Sequence, residues 1–267
     1  MTRIVNNCVA LVCLCLFWGQ SLRAADASHS EQIKWGNESV FNEEHNTLGL
    51  FSGVLGGQIV LAGGTSDDYS RWGRNAVCLS ENAGFALYED MLSKPLAYGA
   101  SITLSDGILC IGGRDSSQCY EDVFFVTMQQ GKLNVSEDWQ PLPFPLSKEA
   151  GALLDNKVYL FGGRKSVSPS RLSDSFFVLD LSNKSRGWKE LPGYPGCVRE
   201  DAILVVQNNG VSPCLYLLGG QTETEEGLSS CLTDGYVYNP QLGKWSSLGS
   251  DFPKGICAAV ASGANHI

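Results

Sequence analysis

Three side chains with hydrogen-bonding heads stand in one recurring local setting. Arg114 follows Gly112-Gly113, Arg164 follows Gly162-Gly163, and Gln221 follows Gly219-Gly220. Arginine suits a carboxylate ligand, because its planar fork can donate two parallel hydrogen bonds. Just upstream of the same apolar runs stand Tyr98, Glu149, Arg199 and Glu200. Glu149 or Glu200 could serve as a general acid or base. Taken singly, each arginine reads as a solvated loop residue. Taken together, they recur at equivalent places in a chain of net charge −9, as a small anionic ligand would require.

The elements that must position these residues are repeated. Apolar runs at Ile59–Ala62, Ile108–Ile111, Val158–Phe161 and Leu215–Leu218 each stop on a glycine doublet. The second glycines are 64, 113, 163 and 220, giving separations of 49, 50 and 57 residues. A short continuous apolar run reads as a buried strand, and two glycines after it allow a sharp turn at positive φ. Three units then place Asp122, Asp174 or Asp234 ahead of an aromatic strand, and close on Trp139, Trp188 or Trp245. A period of about 50 residues with this order is the kelch signature of four-stranded propeller blades. A β-sandwich with glycine turns is the rival, but it has no reason to repeat that order. The expected fold is therefore an all-β, kelch-type propeller over residues 28–267, with four recognisable blades and the start of a fifth at Lys254. The first unit lacks a closing tryptophan, and the chain stops one strand into its fifth unit. We expect an incomplete, C-terminally truncated ring.

Blade geometry says which residues meet. In an up-and-down blade, the loop after the second strand and the start of the first lie at one end of the ring. That gathers Arg114, Asp115, Arg164, Arg171 and Gln221 with Tyr98, Glu149, Arg199 and Glu200.

Residues 1–27 combine Arg3, the apolar run Cys8–Trp18 and a small-x-small end at Ala25-Asp26-Ala27. This reads as a secretory signal peptide, which places the mature chain in the periplasm or outside the cell. Its removal takes away Arg3, Arg23 and Asp26 and moves the formal charge from −9 to about −10. Such an acidic body disfavours nucleic acid. No later stretch is long enough to span a bilayer as a helix. Seven cysteines follow the signal: Cys78, Cys110, Cys119, Cys197, Cys214, Cys231 and Cys257. Export permits disulfides, and the candidate pairs are Cys110–Cys119 and Cys214–Cys231; buried unpaired thiols are the alternative. The three histidines, His29, His45 and His266, lie at the chain's extremes. Together with the absence of C-x-x-C, this argues against a metal site or a copper oxidase.

The stretch Tyr98–Gly113, with Leu142-Pro-Phe-Pro-Leu146, Ala150–Leu153 and Gly263–Ile267, resembles the cyclically permuted mutarotase family of kelch propellers. The resemblance implies a six-bladed ring acting on N-acetylneuraminate (sialic acid) or a related sugar by anomer interconversion. A base removes the proton of the anomeric hydroxyl, the ring oxygen is protonated as the ring opens, and reclosure gives the other anomer. This chemistry needs no metal or redox cofactor. In the sialic acid mutarotases the base is a glutamate directly after a doublet, with an arginine a few residues on. Here the doublets precede Thr65, Arg114, Arg164 and Gln221, so that pair does not transfer. Arg171 follows Arg164 at seven residues with no acid between them, and the sixth position beyond Gln221 is Gly227. The rival function is a non-catalytic propeller that binds a glycan or a protein partner, since fold does not settle activity.

Overall fold

The structure is a computed structural model that describes residues 48–80, 84–224, 227–249 and 252–259. The expected signal peptide, the histidines and residues 260–267 of the expected fifth unit lie outside the described residues.

Four four-stranded antiparallel sheets follow one another along the chain. Blade 1 is β1 (Leu48–Leu55), β2 (Gln58–Thr65), β3 (Ala76–Ser80) and β4 (Gly84–Tyr88). Blade 2 is β5 (Ala100–Thr103), β6 (Ile108–Ile111), β7 (Val123–Gln129) and β8 (Lys132–Ser136). Blade 3 begins with β9 (Ala150–Leu154) and β10 (Lys157–Phe161), and adds a small hairpin of β11 (Arg164–Ser166) and β12 (Arg171–Leu172). It is completed by β13 (Phe176–Asp180) and β14 (Lys189–Glu190). Blade 4 has β15 (Ile203–Asn208) and β16 (Pro213–Leu218), the small hairpin β17 (Gln221–Glu223) and β18 (Ser229–Cys231), then β19 (Gly235–Asn239) and β20 (Lys244–Ser247). The four expected blades are present as a propeller arrangement.

The innermost strands β1, β5, β9 and β15 neighbour one another in that order. Ser101 Oγ accepts from Ser52 N at 3.0 Å, one of the links between adjacent inner strands. Each second strand is sandwiched between blades, which explains its unbroken apolar run. All four residues of β6 are buried, as are Val158–Phe161 in β10. Burying each such side chain stabilises by about 1.5–3 kcal/mol.

The glycine doublets do two jobs. The first glycine donates within its own blade: Gly63 to Asn75 O, Gly112 to Asp122 O, Gly162 to Ser175 O and Gly219 to Asp234 O. The second donates to the next blade: Gly64 to Leu96 O, Gly113 to Leu146 O, Gly163 to Arg199 O and Gly220 to Ile256 O. A Cβ on the first glycine would sit 2.1–2.6 Å from those same carbonyl oxygens of the next blade. With φ of +56 to +70° there as well, only glycine fits.

A second chain of hydrogen bonds runs from blade to blade around the channel. Tyr98 N donates to Gly49 O at 2.7 Å, Lys148 N to Tyr98 O at 2.6 Å, Asp201 N to Lys148 O at 3.0 Å and Ala258 N to Asp201 O at 3.0 Å. All five residues have φ between 49 and 64°. This left-handed hoop was not foreseen, because no residue type marks it.

One expectation is corrected. Neither Cys110–Cys119 nor Cys214–Cys231 forms. Cys231 is bonded to Cys257, tying blade 4 to the segment that follows it. Cys110 and Cys214 face the core, and Cys119 contacts Ser147 Oγ at 3.3 Å. The fifth unit is present through Phe252–Ala259, held by Gly220 N to Ile256 O, but no strand is formed there among the described residues.

Candidate functional site at the channel mouth

Short two-way backbone bridges place the post-doublet residues beside the unit openings. Arg114 pairs with Ala97, Arg164 with Ser147 and Gln221 with Glu200. The hoop residues Tyr98, Lys148 and Asp201 follow directly, so their side chains enter the same mouth.

Most of the polar groups there satisfy one another. Lys148 Nζ lies 2.9 Å from Asp201 Oδ2 and 3.3 Å from Glu200 Oε1. Arg164 donates to Glu200 Oε2 at 2.6 Å and Oε1 at 2.8 Å, to Glu223 Oε1 at 2.9 Å and also to Ser170 Oγ. Gln221 Nε2 donates to Asp201 Oδ2 at 2.7 Å and Glu200 Oε1 at 3.1 Å. Burial alone would raise the Glu200 pKa, but Arg164 and Lys148 hold it below the ordinary value. Lys148 is in turn pushed up by Asp201 and Glu200 despite its burial.

Glu149 is different. The equivalent positions one residue past the hoop are Leu50, Gly99 and Ala202, so a carboxyl here breaks an apolar pattern. It is 7% exposed. Its Oε1 accepts from Ala100 N at 3.0 Å, and Oε2 has no hydrogen-bond partner. Gly112 makes room for it, since a Cβ there would lie 2.7 Å from Oε1. Burial pushes its pKa up to about 8, so the carboxyl is protonated at neutral pH.

Arg199 does not join the mouth. It occupies the slot held in other units by Leu96, Leu146 and Ile256, and its side chain is wholly buried. Nη1 reaches Gly219 O and Asp234 Oδ1, both at 2.7 Å, while Nη2 reaches Asp234 Oδ2 at 2.8 Å. Nε donates to Tyr194 Oη at 2.8 Å. With every arm of the fork taken, it braces the blade rather than presenting a free donor. Asp115 is likewise engaged, accepting from Tyr120 Oη, Ser117 and Gln118 N within its own turn. Arg171 is exposed on β12.

Beyond the expected set, the mouth includes Lys148, Asp201 and Glu223, and a cluster of rings from the loop after the first doublet. Tyr69 stacks on Tyr98 at 6.4 Å, Trp72 meets Tyr98 at 6.3 Å, and the Arg114 guanidinium lies 5.3 Å from the Trp72 ring and 5.4 Å from that of Tyr98. The degenerate first unit hid Tyr69 and Trp72. Among the described residues no group of three or more His, Cys, Asp or Glu side chains could hold a metal ion, and no helix is long and apolar enough to cross a membrane.

Residues 139–266 match the N-acetylneuraminate epimerase family model. That stretch contains Lys148, Glu149, Arg164, Glu200, Asp201 and Gln221. The N-acetylneuraminate epimerase of Haemophilus influenzae (strain PittEE) is 30% identical over 131 residues, 49% of this chain and 32% of the relative. That of Yersinia pestis (strain Pestoides F) is 29% identical over 129 residues, 48% of this chain and 30% of the relative. A kelch domain-containing protein of Vibrio cholerae is 31% identical over 119 residues, 44% of this chain and 30% of the relative. The matched stretch thus spans about a third of the length of these curated relatives. Among solved structures, that titled "Structure of YjhT" superposes with a TM-score of 0.64 at 13% identity, covering 80% of this chain and 73% of the other. At that identity the likeness speaks for the fold. The chain is a kelch-type propeller protein whose residues 139–266 are similar to the N-acetylneuraminate epimerases.

Proposed function

We propose that this protein is an exported, mutarotase-like protein that takes N-acetylneuraminate or a related sugar at the channel mouth and interconverts its anomers. The observation that carries the reading is the pair of mouth carboxyls whose environments drive them apart. Glu149 is held neutral by burial, and Glu200 is held ionised by Arg164 and Lys148. Such splitting is how one site supplies both an acid and a base near neutral pH. Glu149 would give its proton to the ring oxygen as the ring opens, while the Glu200 cluster receives the proton of the anomeric hydroxyl. Because Glu149 is sealed, contact requires its side chain to leave Ala100 N and turn toward the sugar. The matched epimerase relatives support the substrate class.

A second reading is favoured by the same geometry. Glu200 is gripped by Arg164, Lys148 and Gln221, and no glutamate directly follows a doublet, which fits a binding propeller without catalysis. Exchange NMR of N-acetylneuraminate anomers separates the two. The catalytic reading expects faster exchange with the protein, lost in Glu149→Gln. Binding without any acceleration by the intact chain would leave the second reading standing.

A further inference from the structure

We infer that the loop after the first doublet carries a saccharide-stacking platform, in which Tyr69 and Trp72 take the apolar face of an acidic pyranose and Arg114 takes its carboxylate. The inference rests on the sugar reading for its ligand class, but it requires no catalysis.

The platform is built before any ligand arrives. Asp68 Oδ1 accepts from Ser66 Oγ at 2.5 Å, Ser70 N at 3.0 Å and Ser70 Oγ at 2.7 Å, and Thr65 Oγ1 donates to Arg71 O at 2.7 Å. Trp72 Nε1 donates to Tyr69 O at 3.1 Å, fixing one ring to the backbone of the other. Tyr69 is nonetheless 50% exposed, and its ring lies nearly parallel to Tyr98, with 22° between the planes. An exposed tyrosine alone means little. A preorganised group of rings beside a cation is another matter, because binding then costs little ordering.

The cation sets the charge of the ligand. Lys148, Arg164 and Arg199 are all ion-paired. Arg114 has ring contacts, yet its side chain has no carboxylate partner among the described residues, and its buried Nε has no hydrogen-bond partner at all. Its neighbour Asp115 is turned away into its own turn. A guanidinium stacked on aromatic faces keeps its in-plane donors free. One uncompensated positive charge fits a monoanion such as a sugar carboxylate better than a phosphate dianion. Glu149, with a buried oxygen that lacks a partner, lies under the same mouth and is a second unmet polar group there.

The probe is the methyl α-glycoside of N-acetylneuraminate, whose locked anomeric centre cannot interconvert, titrated by ligand-observed NMR. We expect binding to the wild-type chain, and roughly tenfold or greater weakening for the neutral methyl ester, as for a lost charged hydrogen bond. Arg114→Gln and Tyr69→Ala should each weaken the glycoside by about tenfold or more. Arg186→Gln, an exposed residue at the end of the short 3-10 helix Leu181–Arg186 between β13 and β14, should bind as wild type. Undiminished binding of the ester, or of either mouth variant, overturns the platform, as does no binding of the glycoside. If the locked glycoside binds as described while free N-acetylneuraminate exchanges no faster, catalysis fails alone. If exchange is accelerated but unaltered by Tyr69→Ala and Arg114→Gln, the platform fails alone.

Discussion

Arg164 and Glu200 meet fork to fork across blades 3 and 4, Nε to Oε2 at 2.6 Å and Nη2 to Oε1 at 2.8 Å. Their side chains are 14% and 2% exposed, so the pair is shielded from solvent. Removing one partner leaves the other's charge only partly matched, by Lys148 and Gln221 at Glu200 or by Glu223 at Arg164, so the cost lies below the about 3–5 kcal/mol of a fully stranded buried charge. We predict that Glu200→Ala and Arg164→Ala are each strongly destabilising in urea unfolding. The double variant should lose clearly less than the sum, with a coupling above about 1 kcal/mol. Additive losses would mean that the pair does not hold the blades together.

Glu149 gives a pH dependence of opposite sign to an ordinary salt-bridged acid. Its folded pKa is raised from 4.5 to about 8. Below about pH 4.5 both folded and unfolded states hold the proton and nothing is lost. Between about 4.5 and 8 the unfolded chain releases it while the folded chain keeps it, so stability falls as pH rises, by up to about 5 kcal/mol. Above about pH 8 the loss levels off. The charge of Asp201 adds to the upward push, and the Cys119 thiol lies close by. Glu149→Gln should therefore raise the melting temperature at pH 8 far more than at pH 4.5. An equal effect at both values would show that burial does not raise the carboxyl's pKa in the folded protein.

Two glycines of similar φ should respond very differently to alanine. Gly63 (φ +70°) faces Leu96 O, 2.1 Å from a Cβ, whereas Gly56 (φ +57°) faces open space. Gly56→Ala should cost only the left-handed strain, about 1–2 kcal/mol. Gly63→Ala should cost several-fold more, because the carbonyl it would strike belongs to the next blade. Equal melting temperatures for the two variants would contradict the interblade role of the doublets.

The doublets were readable because two demands, positive φ and absence of a Cβ, both select glycine. The hoop made by Gly49, Tyr98, Lys148, Asp201 and Ala258 was not, since the requirement there is a backbone shape that five different residue types adopt. Arg199 was misplaced for a related reason. Its charge suggested a ligand, but its register with Leu96, Leu146 and Ile256 puts it in a packing slot where Asp234 neutralises it. The cysteine pairs failed because the bridge that forms leaves its blade for the next segment. In the structure Arg164 and Gln221 pair with the unit openings that carry Ser147 and Glu200, with Tyr98 directly after Ala97 at the Arg114 bridge. Which of their charges are already spent could be read only from the side-chain contacts.

The most direct measurement is a crystal structure of the protein soaked with N-acetylneuraminate. We predict density for one sugar at the channel mouth, with its carboxylate within hydrogen-bond reach of Arg114 and its ring over Tyr69 and Trp72. Sugar bound solely on another face, or an empty mouth at saturating concentration, would contradict a ligand site there.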